Sequence, residues 1–482
     1  LKISSLLLTG ALAGVGFCLP IAAPAQGAPL TLSQSVSYAL AHDPGVQQNA
    51  AALTLAVNNL AKQKGQTYPT VSGQLESMIQ KSSNYNTFAV IGATPQNVFS
   101  QNTAQVISSQ YTLNTGGLNF IQLNESKAQV NAADATLQRS QDQIANTVTT
   151  AFFNIAQKDA LVTIDRSDLG YQKILLENAQ AKEHAGVAAG VDVLRAQVSV
   201  AKSQSTLLSD ESAVKDATES LAQIIGAPLD TAFAVPNDPP RPPLPHGTVD
   251  SLVIIAEKAR PDVASAAFNV HDAELVRKGW SRELFPQIQL NGSFGNQFSP
   301  TTAVLEQEQI NMQFAQTNEL LISEGLPPIP LSQRQVVPRG SPGFWQIQAL
   351  TTFTLPFVDY GERRTEKIND DKQLASARAS LANVQGQAAL DVHETYRAAQ
   401  TAIAQEQYAN EESRLGIEAA RIAQLQYQNG IATLTDVTQA QQTSVTAQGD
   451  LVNARVGYVL AVVRLRIAIG IYDAQSAVAD LK

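Results

Sequence analysis

What this chain has little of says most about it. Its single cysteine, Cys18, falls in the N-terminal leader, so the remaining chain has no disulfide to form and no thiol nucleophile. That suits an envelope protein without proving one. Charged residues make up only 16% and aromatics 6%, and the net charge of −9 leaves no basic patch for a nucleic acid. The histidines, His42, His184, His246, His271 and His393, show no metal-ligand spacing. No phosphate-cradling glycine loop and no nucleophile motif occurs. The expectation is a protein that is not an enzyme, with no cofactor, no metal and no nucleic-acid partner. His184 reads as a solvated surface residue.

Proline is absent where it matters. All 22 prolines lie outside Gln96–Ala227 and Phe357–Lys482, two stretches rich in Ala, Gln, Leu and Val. Proline costs about 3 kcal/mol inside a helix, so its absence is what very long helices require. Leu118–Lys182 is helical by pattern with no breaker before Gly186, and at 1.5 Å per residue it spans ~100 Å, far beyond a globular domain. A second helix returns to about Gly226. After Gly361 another run reaches Asn429, turns at Gly430 and returns to Gly470. On that return Val452, Val456, Val459, Val463 and Ile467 form a coiled-coil-like seam.

The chain is written twice. Tyr427–Gln439, YQNGIATLTDVTQ, ends one helix at Gly430 and restarts at Leu434, with Thr433 or Thr435 as the cap. Glu183–Arg195, EHAGVAAGVDVLR, repeats the design: Gly186 answers Gly430 and Asp192 answers Asp436 at the same separation. Pro261 likewise answers Pro44, and Phe285-Pro286 answers Tyr68-Pro69. Phe353-Thr354-Leu355 answers Tyr111-Thr112-Leu113 at a larger separation, which places the extra residues inside the second hairpin.

Residues 1–25 read as a signal peptide: Lys2, the apolar Ile3–Leu19, and Ala23-Pro24-Ala25 as a cleavage site. Lipidation at Cys18 is not expected, because Phe17 precedes it. The first repeat is placed at 26–226, with a helical Thr31–Gln66 broken at Asp43-Pro44 and strands at about 70–80 and 104–113. A proline-rich extended linker, PNDPPRPPLP, lies within 227–248. The second repeat, 249–470, has strands at about 287–298 and 345–355, and a tail follows at 471–482. Ser299–Phe344 reads as a long loop whose Thr302–Glu324 portion forms a short helix.

Each strand alternates apolar and polar residues, as Ile288, Leu290, Phe294 and Phe298 do against Gln287, Gln289 and Asn291. Among the four only Glu76 is charged, and it sits on the polar side. The alternation fits a small soluble antiparallel sheet as well as tilted strands crossing a bilayer. Aromatics at the strand ends favour the membrane: Tyr68, Tyr111, Phe285 and Phe353 at one end, Phe298 and Trp345 at the other. Four strands cannot close a barrel, and open edges are not tolerated in lipid, so several copies must pool their strands.

These residues resemble the TolC-like outer-membrane efflux proteins, the outer-membrane factor family, over Leu30–Gly470. The resemblance rests on Tyr427–Asp436 with its echo Ala181–Leu194, on FTLPFVDYGERR at Phe353–Arg364, and on NARVGYVLAVVRLRIAIG at Asn453–Gly470. It implies a mainly α fold with a β-barrel portion: a homotrimer in which a twelve-stranded outer-membrane barrel continues into a long periplasmic α-helical barrel. It implies a passive exit duct of a tripartite efflux or type I secretion system. The partners would be a periplasmic adaptor, an inner-membrane pump and outer-membrane lipid. Gly186, Val187, Ala188, Gly430, Ile431 and Ala432 would be tips that dock the adaptor. Asp436 would belong to an anionic ring at the pore entrance, with Gln439 where a second aspartate is typical. Asp192 and Tyr427 would link neighbouring helices, and Ala432 replaces an arginine of some members. Asp436 reads equally as an acidic residue favoured at a helix start. A secreted trimeric coiled-coil or adhesin-like protein would also explain the helices, though not the charge-poor hairpins.

Overall fold

The computed structural model describes residues 29–84, 96–186, 189–236, 239–298, 300–336, 343–352 and 360–472. The expected signal peptide with Cys18, the tip residues Val187 and Ala188, the strand end at Phe353–Leu355 and the tail beyond residue 472 lie outside them. Among the described residues no helix is long and apolar enough to cross a membrane, which says nothing of a β-barrel.

In chain order the elements are α1 (Leu32–His42), α2 (Pro44–Gly65), β1 (Thr70–Asn84), β2 (Gln96–Asn114), α3 (Leu118–His184), α4 (Gly190–Ile225), α5 (Val249–Ala259), α6 (Pro261–Trp280), β3 (Gln287–Phe298), α7 (Pro300–Ser323), β4 (Gly343–Thr352), α8 (Glu362–Gln428) and α9 (Leu434–Ile469). The proline-free stretches hold the two 67-residue helices, α3 and α8. The chain divides into two compact units: Leu1–Ala52 with Asp134–Ser265 and Ala382–Lys482, and Leu53–Ala133 with Ala266–Leu381. Each draws on both sequence repeats, so the repeat is a division of sequence and the compact unit a division of space.

The second unit holds one antiparallel sheet in the order β1-β2-β3-β4. Its register puts Ile107 opposite Phe294, Tyr111 opposite Leu290, and Phe294 opposite Trp345. With Val71, Leu75 and Ile347 these make one apolar face, since partners across a ladder share a side. Leu75 and Trp345 are each 76% exposed and Ile347 78% exposed, so the described residues leave these side chains of the face largely uncovered. The opposite face carries Gln74, Glu76, Ser108, Gln110, Gln289, Asn291, Gln346 and Gln348. Among the described residues β1 and β4 each have one unpaired edge.

The expected strand bounds need correction. β1 and β2 run to Asn84 and from Gln96, longer than expected, and β1 therefore includes a second charge, Lys81, paired with Phe99. The apolar alternation fades at Lys81-Ser82-Ser83, yet ladder hydrogen bonds need only a partner backbone, and β2 supplies one. The helix expected at Thr302–Glu324 in the Ser299–Phe344 loop is α7, Pro300–Ser323, with 24 residues. In this unit α6 is tied to α8 by Arg277–Asp371 at 2.6 Å and Arg378–Glu274 at 2.7 Å. The main-chain N–H and the hydroxyl of Thr115 both donate to the Pro286 carbonyl, at 3.1 and 2.6 Å.

The first unit is helical. α1 starts in a capping box of Thr31 and Gln34, and α3 brings Val148, Phe152 and Phe153 against Val36, Leu221, Ile225, Val456, Val459 and Val463. Of the seam expected on α9, Val456, Val459 and Val463 are buried, and Val452 and Ile467 are half-buried. Full burial of Phe152, Leu221 or Ile225 contributes roughly 1.5–3 kcal/mol each. The proline-rich linker has no helix or strand where described and is strapped down: the Tyr458 hydroxyl donates to the Pro242 carbonyl at 2.6 Å, and Arg241 pairs with Glu406.

Candidate functional site at the helix tips

The two helix hairpins of the first unit, α3–α4 and α8–α9, each close on a left-handed glycine: Gly186 has φ 70° and Gly430 φ 74°. An L-residue with a Cβ is strained there, and glycine is not. At the second tip the Gly430 N–H donates to the Tyr427 carbonyl at 3.1 Å and the Ile431 N–H to the Gln426 carbonyl at 2.8 Å. This pair of bonds is a Schellman close and satisfies carbonyls that the helix end leaves without partners. Ile431 then stands 76% exposed, while Ala432 turns inward.

Thr433, not Thr435, caps α9. Its hydroxyl accepts the Asp436 N–H at 3.2 Å and donates to Asp436 Oδ2 at 2.7 Å, and its own N–H donates to the same oxygen at 2.9 Å. These bonds hold the Asp436 carboxyl below its usual range, the backbone N–H foremost. Asp436 is exposed and takes part in the capping box at its own helix start. Asp192, in the first turn of α4, lies 3.5 Å from Arg195.

Tyr427 is buried with Leu175, Ala179, Val193, Ala196, Leu434 and Val437, where α3, α4, α8 and α9 meet. Burial first, and then the negative charge of Asp192, push its hydroxyl above the usual value. Asp192 and Tyr427 are thus electrostatic neighbours, and among the described residues no hydrogen bond joins them within one chain. The residue that does hold Tyr427 is Lys182, whose ammonium lies 3.6 Å from the ring centroid and donates to the Tyr427 carbonyl at 2.5 Å. Sequence reasoning missed it. The available signal was a basic residue in the last turn of α3, where the helix dipole favours one.

Gln439 is exposed and lines a groove of about 300 Å³ between α3, α4 and α9, together with Asp165, Asp168 and Gln172 of α3 and Lys202 of α4. Asp168 is fully engaged: Ser203, Gln172 and Gln441 donate to it at 2.9, 3.2 and 3.0 Å. Asp165 is pushed up to about 7 by burial, then by the hydrogen bond and charge of Asp210, then by the charge of Asp168. No group of three metal-ligating side chains occurs among the described residues. The site brings together packed helix ends, polar grooves and fixed charge.

Comparison with known proteins identifies the family. The family model described as outer membrane efflux protein matches residues 36–227 and 252–471, once over each sequence repeat. The outer membrane efflux protein BepC of Brucella suis biovar 1 is 24% identical over 206 residues, 42% of this chain and 43% of that protein's length. Among solved structures, the outer membrane protein VceC of Vibrio cholerae superposes with a TM-score of 0.68 at 18% identity, covering 91% of this chain and 96% of that one. The CmeC outer membrane channel of Campylobacter jejuni gives 0.68 at 14%, covering 93% and 89%. The open MtrE outer membrane channel of Neisseria gonorrhoeae gives 0.67 at 16%, covering 91% and 88%. At these identities the likeness shows the fold, a mainly helical chain with a β portion. Nothing in these matches favours a secreted coiled-coil or adhesin-like protein. With the family model covering both repeats, the chain belongs to the outer membrane efflux protein family and to the outer membrane.

Proposed function

We propose that this protein is the outer-membrane exit duct of a tripartite efflux or type I secretion system, passing substrates passively from an inner-membrane pump and its periplasmic adaptor to the exterior. One observation carries the reading. Among the described residues, a four-stranded sheet with one apolar, largely exposed face and two unpaired edges sits on the same chain as two long helix hairpins. An apolar sheet face that large is a liability in water and an asset in lipid. The free edges of β1 and β4 need partner strands in a bilayer. Three copies supply twelve strands and a closed barrel, and the exposed apolar residues of α4 and α8, among them Leu194, Val198, Leu415 and Ile422, pack on neighbouring copies in the trimer. Gly186 and Gly430, with Val187, Ala188, Ile431 and Ala432, are the tips that meet the adaptor. Asp436, Asp192, Tyr427 and Gln439 lie around the entrance. No step of chemistry is assigned to the chain.

Mass measurement of the purified protein in mild detergent tests the assembly. A trimer that forms conducting pores in planar bilayers is expected, and a folded, monodisperse monomer would overturn the reading.

A further inference from the structure

One end of the sheet carries a charge opposite to that of the chain as a whole. The register brings Asn114, Gln287 and Thr352 to one level there, with the apolar pair Leu113 and Ile288 just inside it. Basic residues gather beyond that level. Lys62 and Lys64 lie in the last turn of α2, Lys278 in the last turn of α6 with Arg282 just after it, and Arg363, Arg364 and Lys367 in the first two turns of α8. They outnumber the acids among them, Glu283, Glu362 and Glu366, in a chain of net charge −9. Among the described residues none of Lys64, Lys278, Arg364 and Lys367 forms an ion pair with a carboxylate. The placement on α8 works against the helix itself, because the dipole at a helix start disfavours cations, and an anion facing that turn removes the cost. Aromatic side chains flank the same strand ends. Tyr68, Phe120 and Tyr360 are 69%, 67% and 99% exposed. The Arg363 guanidinium and the Lys367 ammonium lie 5.3 and 5.4 Å from the centroid of the Trp280 ring, and Arg282 lies 5.4 Å from that of Phe285.

We propose that this basic and aromatic collar binds the phosphates of anionic phospholipids at the periplasmic boundary of the membrane. An apolar strand face ends, exposed aromatics follow, and cations without carboxylate partners come next. That is the order of layers at the edge of a bilayer: acyl chains, interface, phosphates. Lysine and arginine suit the last layer, since their apolar stems lie along the interface while their charged ends reach the headgroups. The cations are spread over α2, α6 and α8, which matches a surface of many phosphates better than one enclosed anion. The inference rests on the duct reading for the bilayer around the sheet, and it names the class of lipid held there.

The test titrates the full-length protein, purified in mild detergent, with phosphatidylglycerol or phosphatidylcholine and counts bound lipid by native mass spectrometry. Retention of phosphatidylglycerol should be about tenfold stronger, because a basic side chain near an anionic surface strengthens association roughly fivefold. Combining Lys64→Gln, Lys278→Gln and Arg364→Gln should reduce the preference to about twofold or less, with the trimer's mass in the same spectrum as the control for folding. Arg364→Gln alone keeps the test decisive where the triple variant fails to assemble, and it should lower the preference by about fivefold. Combining Lys173→Gln, Lys202→Gln and Lys215→Gln removes the same charge from α3 and α4 and should leave the preference unchanged. Equal retention of the two lipids, an unchanged preference in the collar variants, or an equal loss in the α3–α4 variant would overturn the collar. So would displacement of the lipid by equimolar glycerol 3-phosphate, which carries the phosphate without acyl chains. Conductance in planar bilayers keeps the two readings apart. A conducting trimer blind to the headgroup sinks only the collar, and a protein that never conducts sinks the duct while its lipid count still decides the collar.

Discussion

The Lys182 ammonium lies 3.6 Å from the centroid of the Tyr427 ring and donates to the carbonyl of the same residue at 2.5 Å. One residue ends a helix of the first repeat and the other ends a helix of the second, so this double contact joins the two tips within a chain. Lys182→Met removes both halves and should lower unfolding stability by about 1 kcal/mol, read in urea titrations. Tyr427→Phe keeps the ring and should leave stability nearly unchanged. A rise in bilayer conductance in this second variant assigns the hydroxyl beside Asp192 to the closed entrance, and unchanged conductance confines Tyr427 to packing.

Among the described residues the tip glycines have open space beside them: apart from the flanking residues, no atom lies within 4 Å of where a side chain would start at Gly186 or Gly430. Substitution there costs backbone strain and no clash, about 1–2 kcal/mol for Gly430→Val. Gly430→Asn should cost less, because asparagine tolerates the left-handed region. If the tips dock an adaptor, Gly186→Val and Gly430→Val abolish export while the trimer's mass is retained. Loss of the trimer instead makes them helix-ending turns alone.

Asp436 caps α9 through Thr433, and the proposed entrance role of its charge can be tested apart from that cap. Asp436→Asn removes the charge and should lower cation selectivity in planar bilayers. Thr433→Ala removes the capping hydroxyl at a cost of about 1 kcal/mol and should leave selectivity unchanged. Equal effects of the two on selectivity would remove Asp436 from the pore.

The β3–β4 connection should be reachable from outside the cell. α7 is clasped to the segment after it by Asn318, which donates to the Ile329 carbonyl at 3.1 Å and accepts its N–H at 2.7 Å. Glu319 and Glu324 are exposed near this clasp. A glutamate-specific protease is expected to cut there on intact cells, and cleavage only after permeabilisation would invert the topology.

Asp165 makes stability pH-dependent with a definite sign. Its carboxyl titrates at about 7 in the folded chain against 3.8 for an unperturbed aspartate. The folded state therefore holds its proton more tightly, and the associated stability is fully present below about pH 3.8 and lost as pH rises through about 7. Asp165→Asn should raise the melting temperature at pH 8 and change it little at pH 4. A gain of equal size at both values would remove the titration from the explanation.

Local chemistry made much of this protein legible in its sequence. Missing prolines announced α3 and α8, Gly186 and Gly430 announced the tips, and alternation announced the strands, because each signal is carried by a few adjacent residues. The ends of β1 and β2 were not legible, since ladder pairing continues past Lys81 on the partner's backbone regardless of pattern. Nor was the role of Lys182, or the sharing of Asp168 between Ser203 and Gln441. Those contacts join residues far apart in sequence, and no residue in such a pair carries a sign of its partner. Packing four helices together decided which lysine meets Tyr427, and it left Asp165 and Gln172 buried with acceptors still open.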